Sequence, residues 1–388
     1  MIHYRRSGHI SRRTHAAFRN DAGDLRFEHC FTRDGFDGPY SILYHEQPPQ
    51  NHTNGTSSSV LWAERTERGS NIEALRRRHY KGFDQSIGGT TSTGRMPLMF
   101  NRDLTVGVVH PETGDDFYLA NGDGDDLFYI QEGGGTLIST FGRLDFTQGD
   151  YIFIPRAVTH RFELQKKPQF WFWIECRTGL HLPKQYRNPV GQLRMDAPYT
   201  HRDFVSPHID GAIDPDGPKH VVSKRRDRFT SHDYPHSPVD VLGWDGMVWP
   251  FVFPITAFRP KIASYHLPPT VHGTFATKGS LICSFVPRMV DFGDDAIPCP
   301  YPHSNVDVDE VIFYCDGDFT SRRGLNTGSV SYHPAGIPHG PHPGAYERSI
   351  GTTRADELAV MIDTFDPLHH TSAGQYVEDT DYDESWSH

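Results

Sequence analysis

From about residue 96 the chain breaks into short apolar runs separated by Gly, Asp and Pro. LTVGVVH, DFYLAN, DLFYIQEG, GTLISTF, GRLDF, DYIFIP, HRFEL and FWFWIECR follow one another at the spacing of an all-β unit. A second series starts near residue 248, with VWPFVFPI, KIASYHL, GTFAT, LICSFVP, EVIFYCDG, GSVSYHP and ELAVMIDTF. Between them, residues 177–240 are rich in Pro, His, Arg and Asp with little periodicity, which predicts a long connection with local structure. Ahead of the first series, residues 1–60 read as an irregular opening with strand fragments such as Tyr40–His45. Residues 47–57 read as a polar loop and 62–80 as partly helical. The last residues, 371–388, are polar and acidic and read as a tail or an ordered flank.

The two β series carry an internal repeat. In the first, Asp126 is followed after six residues by Gly133; Gly149 is followed after five by Pro155, then Ala157 and His160. In the second, Glu310 is followed after six residues by Gly317; Gly328 is followed after five by Pro334, then Gly336 and His339. A repeat constrains architecture more strongly than local propensity does. Both copies resemble the cupin double motif, G-x5-H-x-H-x(3,4)-E-x6-G followed by G-x5-P-x-G-x2-H. That resemblance implies an all-β chain with two cupin (jelly-roll) barrels in tandem and few helices. The expected boundaries are an N-terminal segment at 1–95 packing on the barrels, a degenerate first barrel at 96–176 and a connection at 177–240. A catalytic second barrel at 241–370 and an acidic tail at 371–388 complete the chain.

Only the second copy keeps a full set of metal-binding side chains. His303 stands seven residues before Glu310, Glu310 opens the apolar run VIFYC, and His339 follows Pro338 in a Gly/Pro turn. Two imidazoles and one carboxylate with open positions form the facial triad of non-heme Fe(II) oxygenases. Asn305 stands where the general motif has a second His, which leaves three protein ligands and room for a bidentate substrate plus dioxygen. The first copy offers Asn121, Asp126 and His160, one imidazole with an amide and a carboxylate, a poor transition-metal set. It reads as a structural partner, with His160 a hydrogen-bonded wall residue. A weak oxygen-rich ion site around Asp123, Asp125 and Asp126 is the lesser alternative to a solvated turn.

Composition narrows the function classes. With 388 residues the chain is longer than one core usually supports. A net charge of -11 argues against a general nucleic-acid binder, which needs a basic face. Five cysteines at 30, 176, 283, 299 and 315 form no C-x-x-C pair, so a disulfide framework or thiolate zinc site is not expected, and a reducing, cytoplasmic setting is. Met1 to Arg13 is basic with no apolar run, unlike a secretory leader, and no segment has the ~18 consecutive apolar residues of a membrane span. Histidine, at 24, is the unusual count.

Several blocks together resemble the homogentisate 1,2-dioxygenase family nearly end to end. They are YRRSGHISRRTHAAFR, GFDGPYSILYH, NGDGDDLFYIQEGGGTLISTFGRLDF and HSPVDVLGWDGMVWPFVFPI, with PYPHSNVDVDEVIFYCDGDF and GIPHGPHPG the two most specific. The resemblance implies Fe(II)-dependent, extradiol-type cleavage of the homogentisate ring by O2 to 4-maleylacetoacetate, in tyrosine and phenylalanine catabolism. It implies iron ligands at His303, Glu310 and His339, and a trimer or a hexamer of paired trimers as the assembly. The family's catalytic histidine falls in SYHLPPTVHG, on His266 or, with a one-residue length difference, on His272.

Two departures bear on substrate. The family's His-to-Glu gap is one residue shorter, which makes Asp307 and Asp309 rivals of Glu310. The family's substrate-binding Tyr is replaced by Phe319, which keeps the ring and loses the hydroxyl. For an aromatic acid's carboxylate, Arg322, Arg323 and Arg288 are candidates through bidentate pairing, with structural salt bridges the alternative. His339 also borders the substrate position. His333, Asn305, Tyr301 and His342 are candidates for orienting the ligands from behind. Three readings follow: a homogentisate dioxygenase, the same chemistry on another hydroquinone-type or hydroxylated aromatic acid, or a non-catalytic bicupin that senses a ligand.

Overall fold

The structure, a computed structural model, describes residues 3–53, 55–57, 61–62, 75–84, 88–211, 213–317 and 324–386. Strands dominate it, and among the described residues the α-helices are two short ones, Ala345–Ser349 and Ser372–Tyr376. No helix is long and apolar enough to cross a membrane.

Two seven-stranded sheets build the first barrel. One runs in the order Phe251–Pro254, Asp150–Ile154, Asp125–Glu132, Phe170–Cys176, Leu104–Val109, Arg95–Phe100 and His369–His370. The other contains Gly134–Ser139, His160–Leu164 and Tyr118–Asn121. The segment read as a connection contributes a hairpin, Lys219–Arg225 with Arg228–Tyr234, to this second sheet. The second barrel is built on a six-stranded sheet that includes Gly273–Ala276, Ser280–Phe285, Leu358–Thr364, Asp309–Asp316 and Val330–His333. Its edge strand, Arg78–Tyr80, falls in the stretch read as partly helical; residues 63–74 of that stretch lie outside the described residues.

Strand periodicity sorts the side chains. On Asp309–Asp316, Glu310, Ile312 and Tyr314 line a cavity inside the second barrel. Val311, Phe313 and Cys315 face the other way, into the core shared with the first barrel. There the Phe313 ring stacks on Phe172 at 4.6 Å and 9°, an aromatic pair worth ~0.5–1.5 kcal/mol beyond its buried area.

The repeat is visible as matched geometry. Gly133 and Gly317, six residues past the Asp and the Glu, have φ of +102° and +107°. A Cβ on Gly317 would lie 2.4 Å from the Asp356 carbonyl oxygen, so these turns need glycine on both counts. The acidic residues before them correspond as well. Asp125 accepts the N–H of Arg156, just after Pro155, at 2.7 Å, and Asp309 accepts that of Ala335, just after Pro334, at 2.8 Å.

The chain's ends are pinned to the barrels. Arg5–Gly8 pairs with Val241–Gly246. In the flank at 371–388, Glu378 accepts from Arg78 at 2.6 and 2.7 Å.

Candidate metal centre

The local chain brings two imidazoles together before any ligand is considered. His303 and His339 form an isolated β-bridge, each N–H bonding the other's carbonyl at 2.8 Å. Their rings stand 4.4 Å apart. Pro302 and Pro338 precede them and restrict the backbone at each approach. Glu310, near the start of its strand, reaches in from the sheet. Its Oε1 lies 3.7 Å from His339 Nε2 and its Oε2 4.0 Å from His303 Nε2. The donor atoms of all three lie within 4.8 Å of one another. Donors at adjacent corners of an octahedral ion stand roughly 3 Å apart for bonds of about 2.1 Å, so small side-chain movements close this set on a metal.

The tautomers suit that role. His339 Nδ1 lies 3.0 Å from the Ile337 carbonyl and His303 Nδ1 3.3 Å from that of Tyr301. An N–H donated there leaves each Nε2 lone pair directed at the centre. His333 is fully buried, donates Nδ1–H to Glu310 Oε1 at 2.6 Å and stacks on His339 at 4.7 Å and 14°. That bond limits Glu310 to a narrow range of rotation.

The rival carboxylates are used elsewhere. Asp309 accepts from Tyr332 Oη at 3.2 Å and from the N–H groups of Ala335 and Leu368, both at 2.8 Å. Its neighbour's side chain points to the opposite face because strand residues alternate. Asp307 is exposed in the bend before the strand.

The cavity beside the triad holds His266, His272, Arg288 and Tyr301. His266 Nδ1 lies 3.3 Å from Asp291 Oδ2, and its ring meets the Tyr301 ring edge-on at 5.1 Å. Arg288 is already bound to Glu357 at 2.9 Å. Asn305 contributes its carbonyl, which accepts from Gly336 N–H at 2.6 Å. His342 is half-buried in the turn beyond His339. Phe319, Arg322 and Arg323 lie outside the described residues.

His272 is buried against Phe285 at 4.7 Å. Burial, with the nearby Arg288 and His266, holds its pKa down to about 3. The folded protein therefore refuses a proton that the unfolded chain accepts below its ordinary value of 6.5. Stability tied to this group is intact above that value and falls as the pH drops toward 3, by up to about 1.4 kcal/mol per pH unit. Melting temperatures of the metal-free protein should fall between pH 6.5 and 4.5, and less steeply in His272→Leu. Equal slopes in the two proteins would remove His272 from the account.

Sequence reasoning missed Asp363. It stands opposite Glu310 across the strand pair, and burial, with Glu310 beside it, pushes its pKa up to about 7. The repeat held the signal: Glu175 in FWFWIEC pairs with Asp126 as Asp363 in LAVMIDT pairs with Glu310.

The first barrel fills the corresponding place with its own cations. Asp126 accepts from Trp173 Nε1 at 2.8 Å and from Arg95 Nη1 at 3.3 Å. Arg95 lies over Trp62, Trp173 and Phe128, 4.6, 5.0 and 5.1 Å from their centroids. Asn121 donates to Asp126 and to Glu175, and Lys224 binds Glu175 at 2.5 Å and Asp123 at 3.1 Å. Asp125 is held by Arg33 at 2.6 Å. The ion site considered around Asp123, Asp125 and Asp126 is thus occupied by side chains. His160 is buried, with Nδ1–H on the Val158 carbonyl at 2.8 Å.

Residues 99–255 match the family model for the N-terminal part of homogentisate 1,2-dioxygenase. A Saccharolobus solfataricus protein, provisionally named a dioxygenase, is 33% identical over 100% of this chain and 99% of its own length. Homogentisate 1,2-dioxygenases of Bradyrhizobium diazoefficiens and Rhodopseudomonas palustris are 28% and 27% identical, over 70% and 80% of this chain and 63% and 71% of theirs. Two tandem cupin barrels and these likenesses, one of them over the full length of the chain, agree: the chain belongs to the homogentisate 1,2-dioxygenase family of bicupin proteins.

Proposed function

We propose that this protein is an Fe(II)-dependent dioxygenase that opens the ring of a hydroquinone-type aromatic acid, with homogentisate the leading substrate and 4-maleylacetoacetate its product. On that reading it works in tyrosine and phenylalanine catabolism, in the cytoplasm, as a homo-oligomer of trimers or hexamers. The observation that carries the reading is the convergence of His303, Glu310 and His339 at a cavity that also holds an imidazole paired with a carboxylate. A cavity of about 130 Å³ favours a single-ring substrate, since an apolar cavity of about 150 Å³ admits benzene.

His303, Glu310 and His339 would hold the ferrous ion, which supplies a bound partner for dioxygen and so relieves the spin barrier to its reaction with a closed-shell ring. The chain's own groups do the rest. His266 takes the phenolic proton on Nε2; Asp291, accepting from Nδ1, holds the ring in that tautomer and steadies the cation that forms. His272 is the poorer base, because burial makes its ring hard to protonate. Lys261, on the same wall as the Glu357-bound Arg288, would receive the substrate carboxylate. Ile312, Tyr314 and Met361 line the floor and keep water from the ring.

A related aromatic acid is the second reading, motivated by Phe319, which lacks the family's hydroxyl. An apolar wall discriminates among analogues less than a hydrogen bond does. The test is anaerobic Fe(II) loading followed by oxygen uptake on a panel of dihydroxyarenes. Consumption of homogentisate supports the lead. Consumption of another aromatic acid alone keeps the chemistry and changes the substrate. Uptake with none of the panel favours a ligand-binding bicupin.

A further inference from the structure

A second cavity lies away from the metal centre. It sits where the first barrel, the segment 178–187 and the turn between Gly273–Ala276 and Ser280–Phe285 meet. It encloses about 690 Å³, within the roughly 300–1,000 Å³ of small-molecule sites. The backbone holds its two sides together: His181 and Ala276 exchange N–H···O bonds of 2.8 Å, and Lys278 N–H donates to Thr178 Oγ1 at 3.3 Å.

Its lining is divided by chemistry. Phe153, Trp249 and Phe251 form an aromatic wall, and the Phe153 and Phe251 rings stack at 4.7 Å and 28°. Lys184, Arg187 and Lys278 supply positive charge from two neighbouring chain segments. Among the described residues Asp34 is the single carboxylate in the lining, although the whole chain carries a charge of -11. Arg33 is committed to Asp125 at 2.6 and 3.1 Å. Among the described residues, Lys184, Arg187 and Lys278 form no ion pair. Arg187 lines the cavity, and its Nε is buried without a hydrogen-bond partner. His181, whose pKa burial lowers, adds a neutral ring to the wall.

We propose that this cavity is a second ligand site, taking a small aryl carboxylate with its ring on the aromatic wall and its carboxylate on Arg187. The ring stacks where a phosphate would leave the wall unused. The planar guanidinium pairs a carboxylate through two parallel N–H···O bonds. The two lysines add a local positive field that draws an anion in. None of these residues borders the metal centre, so the site stands independently of the proposed activity.

Fluorine NMR on the full-length, metal-free protein with 4-fluorobenzoate tests it. The expected result is a bound resonance that persists in His303→Ala and weakens at least about tenfold in affinity in Arg187→Glu, as loss of a charge-assisted bond requires. Lys278→Glu, at the exposed turn, should weaken it as well and guards against a folding defect in the first variant. No bound resonance, or equal affinity in both variants, would overturn the proposal. Equal competition by inorganic phosphate would reduce the site to a nonspecific anion patch. A change of molecular mass in Arg187→Glu by light scattering would mean that a second copy of the chain covers this face, and would also overturn it.

Discussion

Arg95→Ala should cost the protein roughly 3–5 kcal/mol, the penalty of leaving one member of a buried ion pair uncompensated. Arg95 and Asp126 have side-chain exposures of 0% and 1%. Without the guanidinium, Asp126 keeps Trp173 and Asn121 as donors but, among the described residues, no opposing charge within ion-pair distance. The three aromatic rings lose a cation as well as a packing partner. Since domains are stable by only about 5–15 kcal/mol, the variant should melt far below the parent and expose the first barrel to protease. Arg95→Lys should recover part of the loss, because it restores the charge without the planar fork. An unfolding free energy of Arg95→Ala within about 1 kcal/mol of the parent's would show that the pair carries little net energy.

Glu310→Ala should abolish iron retention and, with it, oxygen uptake. The carboxylate is the one anionic donor of the triad and the group to which His333 is tied. Its loss removes a ligand and frees a second imidazole at once. His333→Ala should be milder. It leaves all three ligands and removes the bond that orients Glu310 and the ring stacked on His339, changes of a kind that typically lower metal affinity about 10–100-fold. His160→Ala, in the first barrel, should cost stability and leave metal content unchanged. Metal analysis after dialysis, with competition titration by a chelator, separates the three variants. Full iron retention in Glu310→Ala would sink the proposed ligand set, and iron loss in His160→Ala would bring the first barrel into the chemistry.

The parts legible in the sequence are those in which spacing along the chain is itself the geometry. Short apolar runs between Gly, Asp and Pro mark strands, since side chains alternate faces with a period of two. The repeated interval from acid to glycine records a strand followed by a turn that only positive φ closes, as Gly133 and Gly317 show. The difference between the copies, a His, Glu, His set in one and Asn121, Asp126, His160 in the other, was legible by residue type alone.

Tertiary structure decided the rest, because it turns on which strands become neighbours and in what register. Asp309 and Glu310 are adjacent carboxylates in the sequence; strand alternation and the N–H groups of Ala335 and Leu368 assign one to the backbone and leave the other facing the centre. Asp363, 53 positions further on, comes to stand beside Glu310 only through the pairing of their strands. Arg95 precedes Asp126 by 31 positions, with no local pattern to join them. The β-spacing showed that barrels form, but a cation buried among Trp62, Phe128 and Trp173 is a property of the closed barrel alone. Where two segments distant in the chain supply opposite halves of one contact, neither segment's own composition contains it.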